Sequence, residues 1–305
     1  MDDTTALLDR LTTQAGLHGL LSRTPVWVWI LSGVERLIFP GDQRVIFKFA
    51  RKPFTGEADT LRHVAAQGIP TPRLIASVEH GGMLGMLLED LGEPVREATV
   101  DDGIAAAVAT HNADPAGFLP VLDRKALIEL PGRAVSSLAD LRSSGRWSDT
   151  TDLDGPLLAL DDHTDRLSLG ADLPPFGLCH SEFHPTSLHI GPDGWRLLDW
   201  ARAFTGPGLL DLASWQGTTG PADPATLRRM IRDYIRAGGY GEAARPRTGL
   251  PPEAWALGWH RLWIIAWYLE QATTWINDSR QDDFVAQVVR RHLREAITCL
   301  GIPTL

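Results

Sequence analysis

C-H-S-E-F-H-P-T-S-L-H-I-G-P-D-G-W-R-L-L-D-W, residues 179–200, is the stretch from which the rest of the chain can be read. It divides into a polar loop and two short strands. His180, Glu182, His184 and Ser187 fall on the loop, which Pro185 interrupts. Leu188, His189 and Ile190, then Trp195, Leu197 and Leu198, flank a G-P-D-G turn, the pattern of a tight hairpin. The second strand delivers Asp199 at its end. The hairpin predicts two acids, Glu182 and Asp199, brought near one another with hydroxyls and imidazoles between them. Such a set suits a divalent cation beside a proton acceptor.

The surrounding chain sets limits on that chemistry. Its 305 residues are 44% hydrophobic, enough for a sizeable core in one large domain or two lobes. The net charge of -9 argues against nucleic acid as partner, because phosphate backbones require a basic face. The acidic first residues carry no basic flank or apolar run, so no secretory signal is expected. The most apolar segment, residues 255–269, is interrupted by His260 and Arg261, so no membrane span is expected. Two cysteines, Cys179 and Cys299, make no disulfide framework, and the reading is a cytoplasmic protein with reduced thiols.

Periodicity predicts an α+β organisation. A helix is expected over residues 1–23, with strands over 26–30, 34–39 and 45–49. A helix over 55–67 follows, then strands over 72–78 and 85–89. This makes a β-rich region over residues 1–91. From residue 92 to 305 the chain turns helical, with helices expected over 101–111, 122–130, 223–237, 252–274 and 282–299, and the stretch from 131 to 141 left open. Residues 142–175 are rich in Asp, Gly, Ser and Pro and are expected to be loops around one helix. Trp255, Trp259, Trp263 and Trp267 recur every four residues on one helical face. Core packing is their expected role; the alternative is an aromatic wall for a ligand, with Glu270 or Asp278 meeting an amine.

The quoted stretch resembles the catalytic and metal-binding loops of the aminoglycoside phosphotransferase and choline kinase superfamily, relatives of the protein kinases. The family pattern is H-G-D-x-H-P-x-N, a strand with I-D-W or I-D-F, and D-L-A about a dozen residues on. This chain has H-S-E-F-H-P-T-S over 180–187, L-D-W over 198–200 and D-L-A over 211–213. Glu182 stands where the family has its catalytic Asp, and Ser187 where it has a metal-binding Asn. F-K-F-A (47–50) is similar to the strand whose Lys grips phosphates. G-E-A-D-T-L-R-H-V-A-A-Q-G-I-P-T-P-R (56–73) resembles the helix bearing that lysine's acidic partner, and M-L-L-E-D-L-G-E-P (86–94) the hinge that meets adenine.

The resemblance implies a bilobal, kinase-like fold with a nucleotide-binding lobe over 1–91 and a helical, acceptor-binding lobe over 92–305. It implies transfer of a phosphoryl group from ATP or GTP, with Mg²⁺, to a hydroxyl of a small molecule. The acceptor class is an aminoglycoside, another antibiotic or a hydroxylated metabolite, often cationic. Catalysis is then expected from Glu182 as base, Asp199 and Lys48. Nucleotide contacts are expected from Lys48, Glu57, Ser32, Gly33, Glu89, Asp90 and Leu91, and metal contacts from Asp199 and Ser187. Asp211 would be a buried acid holding the loop's backbone, and His180 a brace for it. The paired departures at 182 and 187 leave a second reading open, a catalytically impaired pseudokinase that binds nucleotide in a regulatory role. A metallohydrolase or zinc deaminase built on H-S-E-F-H (180–184) is a further alternative, weakened because no downstream C-x-x-C follows and H-x-E-x-H lacks the H-E-x-x-H order of zinc proteases.

Overall fold

The computed structural model describes residues 3–275 and 278–303. Helix α1 (Asp3–Ala15) buries Leu7, Leu8 and Leu11 along one face. It stops well short of residue 23, because Gly16 adopts φ +67°, the left-handed conformation that ends a helix. Leu17 still reaches the core, while Leu20 and Leu21 stay exposed. The freed chain starts strand β1 (Ser22–Val28) four residues earlier than its apolar pattern suggests. Pro25, which has no N–H to give a ladder, sits in this edge strand at a bulge.

Strands β2 (Ser32–Phe39) and β3 (Gln43–Arg51) form a hairpin, and helix α2 (Glu57–Ala66) follows. Strands β4 (Leu74–His80) and β5 (Met83–Glu89) are joined by Gly81 and Gly82, both at positive φ as a tight hairpin turn requires. The five strands are antiparallel in the order β1-β2-β3-β5-β4. Side chains alternate across a strand, so Leu37, Phe39, Val45, Phe47 and Leu87 share one face and pack with α1. Lys48 points to the other face. Gly85 allows α1 to approach closely, since a Cβ there would stand 2.9 Å from Leu11.

The chain continues through α3 (Val100–His111), α4 (Arg124–Ser143), α5 (Asp154–Asp161) and α6 (Thr164–Leu167). Helix α4 runs through Pro131 and takes in the stretch to 141 that its sequence leaves open, and Asp123 caps its start by accepting the Ala126 N–H. The stretch 142–175 holds two short helices where one was expected. Strand β6 (Phe176–Cys179) comes next, then the hairpin of β7 (Leu188–Gly191) and β8 (Gly194–Leu197). Strand β9 (Phe204–Pro207) pairs with β6, and α7 (Leu209–Ser214), α8 (Pro224–Arg236), α9 (Pro252–Glu270) and α10 (Asp282–Cys299) complete the fold.

By contacts the chain divides into two units. One comprises the residues up to Asp102 together with Pro185–Ala203. The other comprises Gly103–His184 and the chain from Phe204 onward. The β7–β8 hairpin thus packs with the five-stranded sheet, where the Leu197 N–H donates to the Pro70 carbonyl. In the second unit α9 is the central helix, packed by α4, α7, α8 and α10. Trp255 and Trp259 are fully buried there, and both indole N–H groups donate to the Leu167 carbonyl, at 2.9 and 3.2 Å. Packing therefore explains this half of the tryptophan stripe. Trp263 lies against Phe204, and Glu270 is paired with Arg133. Among the described residues no helix is long and apolar enough to cross a membrane.

Candidate active site

In the sheet-bearing unit, Lys48 lies mid-strand in β3 on the face away from α1. Its ammonium donates to Glu57 Oε1 at 2.7 Å and to Asp199 Oδ1 at 2.8 Å. Glu57, the first residue of α2, is 1% exposed and also accepts the Trp200 backbone N–H at 3.2 Å. Strand β3, helix α2 and a segment 143 residues further along thus meet at one carboxylate. The β7–β8 hairpin fixes the third of them: the Leu198 N–H donates to the Ser187 carbonyl at 2.8 Å, setting Ser187 beside the strand end that presents Asp199. Asp199 itself adopts φ +61°, a conformation in which Asp is better tolerated than most side chains. Its side chain remains 49% exposed.

The electrostatics of this triad are unequal. Burial works to lower the Lys48 pKa, but the Asp199 and Glu57 carboxylates outweigh it, and the ammonium is held charged well above its ordinary value. Burial, reinforced by Asp199, pushes Glu57 up to about 7 against the opposing pull of Lys48. Glu57 Oε2 has no hydrogen-bond partner among the described residues, which fits a carboxyl easily protonated. The result is a charged lysine held between a sheltered acid and an accessible one.

The loop bearing Glu182 belongs to the helical unit and is held from behind by its backbone. Asp211, buried at the start of α7, accepts the N–H groups of His180 at 2.6 Å and Ser181 at 2.8 Å. Beyond Glu182, the Phe183 carbonyl accepts the Ser214 hydroxyl at 2.8 Å. Asp211 is itself backed by His111, whose Nε2 stands 3.5 Å away and whose Nδ1 lies 3.2 Å from the Tyr234 hydroxyl. Cys179, His111 and Asp211 offer atoms all within 4.8 Å of one another. The thiol, however, is pushed well above its ordinary value by burial and by Asp211, and donates to the Gly206 carbonyl at 3.4 Å. Asp211 directs both carboxylate oxygens to the loop's N–H groups, so this group reads as a brace for the loop.

Other expected residues are placed as follows. Glu89 and Arg73 pair through their main chains, and the Glu89 carboxylate accepts the Arg73 N–H. Asp90 turns its carboxylate to Arg36 and to the Gly92 N–H, so its side chain fastens the segment leading to Leu91. Ser32 pairs with Ala50 and shares the Lys48 face. Gly33 is not gathered with Lys48: it lies in β2 opposite Phe49, whose ring covers its α-carbon so closely that a Cβ would meet it at 2.4 Å. His189 is buried, and burial draws it below its ordinary value.

One feature of the loop is absent from the sequence reading. Ser181 has φ +84°, a conformation that favours glycine, and its buried hydroxyl has no hydrogen-bond partner among the described residues. The letter itself was the signal, since the resembled pattern has Gly between His and Asp. Ser214, Tyr234 and the Trp200 N–H carried no such signal, because only the folded chain brings them to the site.

Comparison with known proteins agrees with this architecture. The chain aligns over 99% of its length, and 99% of the other's, with the crystal structure of a candidate aminoglycoside phosphotransferase from Ralstonia eutropha JMP134, at 15% identity and TM-score 0.66. An AMP-bound spectinomycin phosphotransferase aligns at 15% identity and TM-score 0.63, covering 96% of this chain and 98% of that one. An amicoumacin kinase in complex with AMP-PNP, Ca²⁺ and its antibiotic aligns at 13% identity and TM-score 0.62, covering 97% and 94%. Comparison with curated proteins by sequence gives no match. The fold is thus the kinase-like α+β arrangement, a β-sheet N-terminal region followed by a helical C-terminal region. The profile of the phosphotransferase enzyme family matches residues 34–247, more than half of the sequence, and the chain belongs to that family.

Proposed function

We propose that this protein is a small-molecule O-kinase, transferring the terminal phosphoryl group of ATP or GTP to an alcohol. The observation that carries the reading is the Lys48 ammonium held by Glu57 on one side and Asp199 on the other. Phosphoryl transfer demands positioning and charge stabilisation more than covalent chemistry. A lysine kept cationic inside a sheet face supplies a fixed charge for phosphate oxygens. Glu57 orients it, and Trp200 in turn fixes Glu57 through its N–H.

The donors beside Asp199 fit Mg²⁺. The half-exposed Asp199 carboxylate and the hydroxyl of Ser187, whose backbone carbonyl is tied to Leu198, are hard oxygen ligands of the kind that Mg²⁺ takes together with water and phosphate. Asp199 and Ser187 would hold the ion, which when bound neutralises charge on the phosphates. Glu182 is assigned to accept the proton of the acceptor hydroxyl. Its backbone is fixed on both sides by Asp211 and Ser214, so the carboxylate leaves a rigid base. The acceptor class is a hydroxylated, cationic small molecule such as an aminoglycoside or another antibiotic, drawn by the net charge of -9. Cytoplasmic ATP suits this chemistry.

The reading is tested by measuring ADP and GDP release against a panel of hydroxylated antibiotics and amino alcohols, with Asp199→Ala as control. Turnover that needs both an acceptor and Asp199 supports it. A second reading, a nucleotide-binding pseudokinase, draws on the strained Ser181 beside the longer acid Glu182. Tight nucleotide binding without turnover on any acceptor would favour that reading.

A further inference from the structure

The face of the sheet that carries Lys48 has an unusual member. Lys48 pairs with Val34 on β2 and Met86 on β5. Two residues along, on the same face by strand alternation, Ile46 pairs with Arg36 and Leu88. One further step along β3, Val45 pairs with Glu89, where the segment 89–91 begins. Three residues of strand span about 10 Å. A nucleotide with its phosphates at Lys48 and its base toward residues 89–91 would therefore lie along Ile46, Leu88 and Arg36.

Arg36 is held in a way that leaves one surface available. Its Nε and Nη2 donate to the two oxygens of Asp90, at 2.8 and 3.3 Å, and its Nη1 to Glu93 at 3.3 Å. Asp90 is in turn fixed by the Gly92 N–H, and its side chain is only 6% exposed. The edges of the guanidinium are thus occupied by carboxylates, while the side chain keeps 29% of its exposure. An ion-paired guanidinium retains its flat face for stacking on a π-system, which a lysine ammonium does not offer. Ile46 and Leu88 supply the apolar surface beside it.

We propose that Arg36, clamped at its edges by Asp90, is a stacking plate for the purine base of the nucleoside triphosphate and sets the affinity of this protein for that base. The inference rests on the assignment of Lys48 to the phosphates. The pair also joins β2 to the segment after β5, so base binding and the placement of residues 89–91 depend on one contact.

The test is calorimetric binding of Mg²⁺ with AMP-PNP, compared with Mg²⁺ and inorganic tripolyphosphate, which has no base. Arg36→Leu should weaken AMP-PNP roughly 3- to 30-fold and leave tripolyphosphate unchanged. Because Arg36→Leu strands the sheltered Asp90 carboxylate, Arg36→Lys provides the second variant. It keeps the charge for Asp90, should keep the melting temperature, and should still lose the AMP-PNP advantage. Equal losses for both ligands, or no loss for AMP-PNP in a folded variant, would overturn the stacking role. Lys48→Ala should weaken both ligands. If it weakens neither, the phosphate assignment fails and the inference falls with it.

Discussion

Glu57 Oε1 lies 3.2 Å from the backbone nitrogen of Trp200, a residue 143 positions further along the chain. The same oxygen receives the Lys48 ammonium at 2.7 Å. The acid that orients the lysine therefore also fixes the main chain directly after Asp199. Lysine, its partner acid and the acid beyond it behave as one assembly.

That assembly has a pH signature. Glu57 is raised by burial from an ordinary 4.5 to about 7. A carboxyl with a raised folded-state pKa binds protons more readily folded than unfolded. Its contribution to stability is complete below about 4.5 and is lost as pH rises through 7. The difference in unfolding free energy between the native protein and Glu57→Gln should change by about 3 kcal/mol across that window. Urea unfolding at pH 5, 6, 7 and 8 measures it, and parallel curves for the two proteins would contradict the assignment.

Lys48→Ala removes the fixed cation. It should lower kcat/KM about 10²- to 10³-fold. It also leaves the Glu57 carboxyl buried with only the Trp200 N–H for its charge, so the variant should become more stable as pH falls below 7. Steady-state kinetics paired with thermal melts at two pH values separate these effects.

Glu182→Gln should reduce kcat about 10²- to 10⁴-fold with little change in KM for the nucleotide, as expected when a general base is lost. Glu182→Asp keeps the charge and shortens the reach by about 1.5 Å. Because Asp211 and Ser214 hold the loop on both sides of this residue, the backbone cannot follow. A loss of about 100-fold is expected. Full activity in the aspartate variant would show that the loop is looser than these hydrogen bonds imply.

Ser181→Gly should stabilise the protein. At φ +84° a side chain costs about 1–2 kcal/mol relative to glycine, and the buried hydroxyl adds an unpaired polar group. A rise of about 2–4 °C in melting temperature is expected. No change would mean that the hydroxyl acquires a partner in solution.

Local patterns carried much of this protein into view. Alternating apolar residues gave the sheet strands, and the G-P-D-G turn gave the β7–β8 hairpin that delivers Asp199. Both signals act over a few residues, where side-chain period and turn chemistry dominate. The first helix shows the limit: leucines continue to residue 21, but Gly16 turns left-handed and the remaining leucines leave the helix. Pro131 errs in the other direction, since α4 keeps its helical course through a residue that usually breaks one.

What the sequence determined alone was the chemistry on offer: a rare lysine in an apolar strand, an acid opening the next helix, and an acid closing a hairpin. Tertiary structure decided which groups are shared and which are spent. It assigned one Glu57 oxygen to both Lys48 and Trp200, put Gly33 beneath Phe49, and committed Asp90 to Arg36. Those outcomes depend on packing between segments distant in sequence, where desolvation and hydrogen-bond geometry select among partners that residue spacing cannot rank.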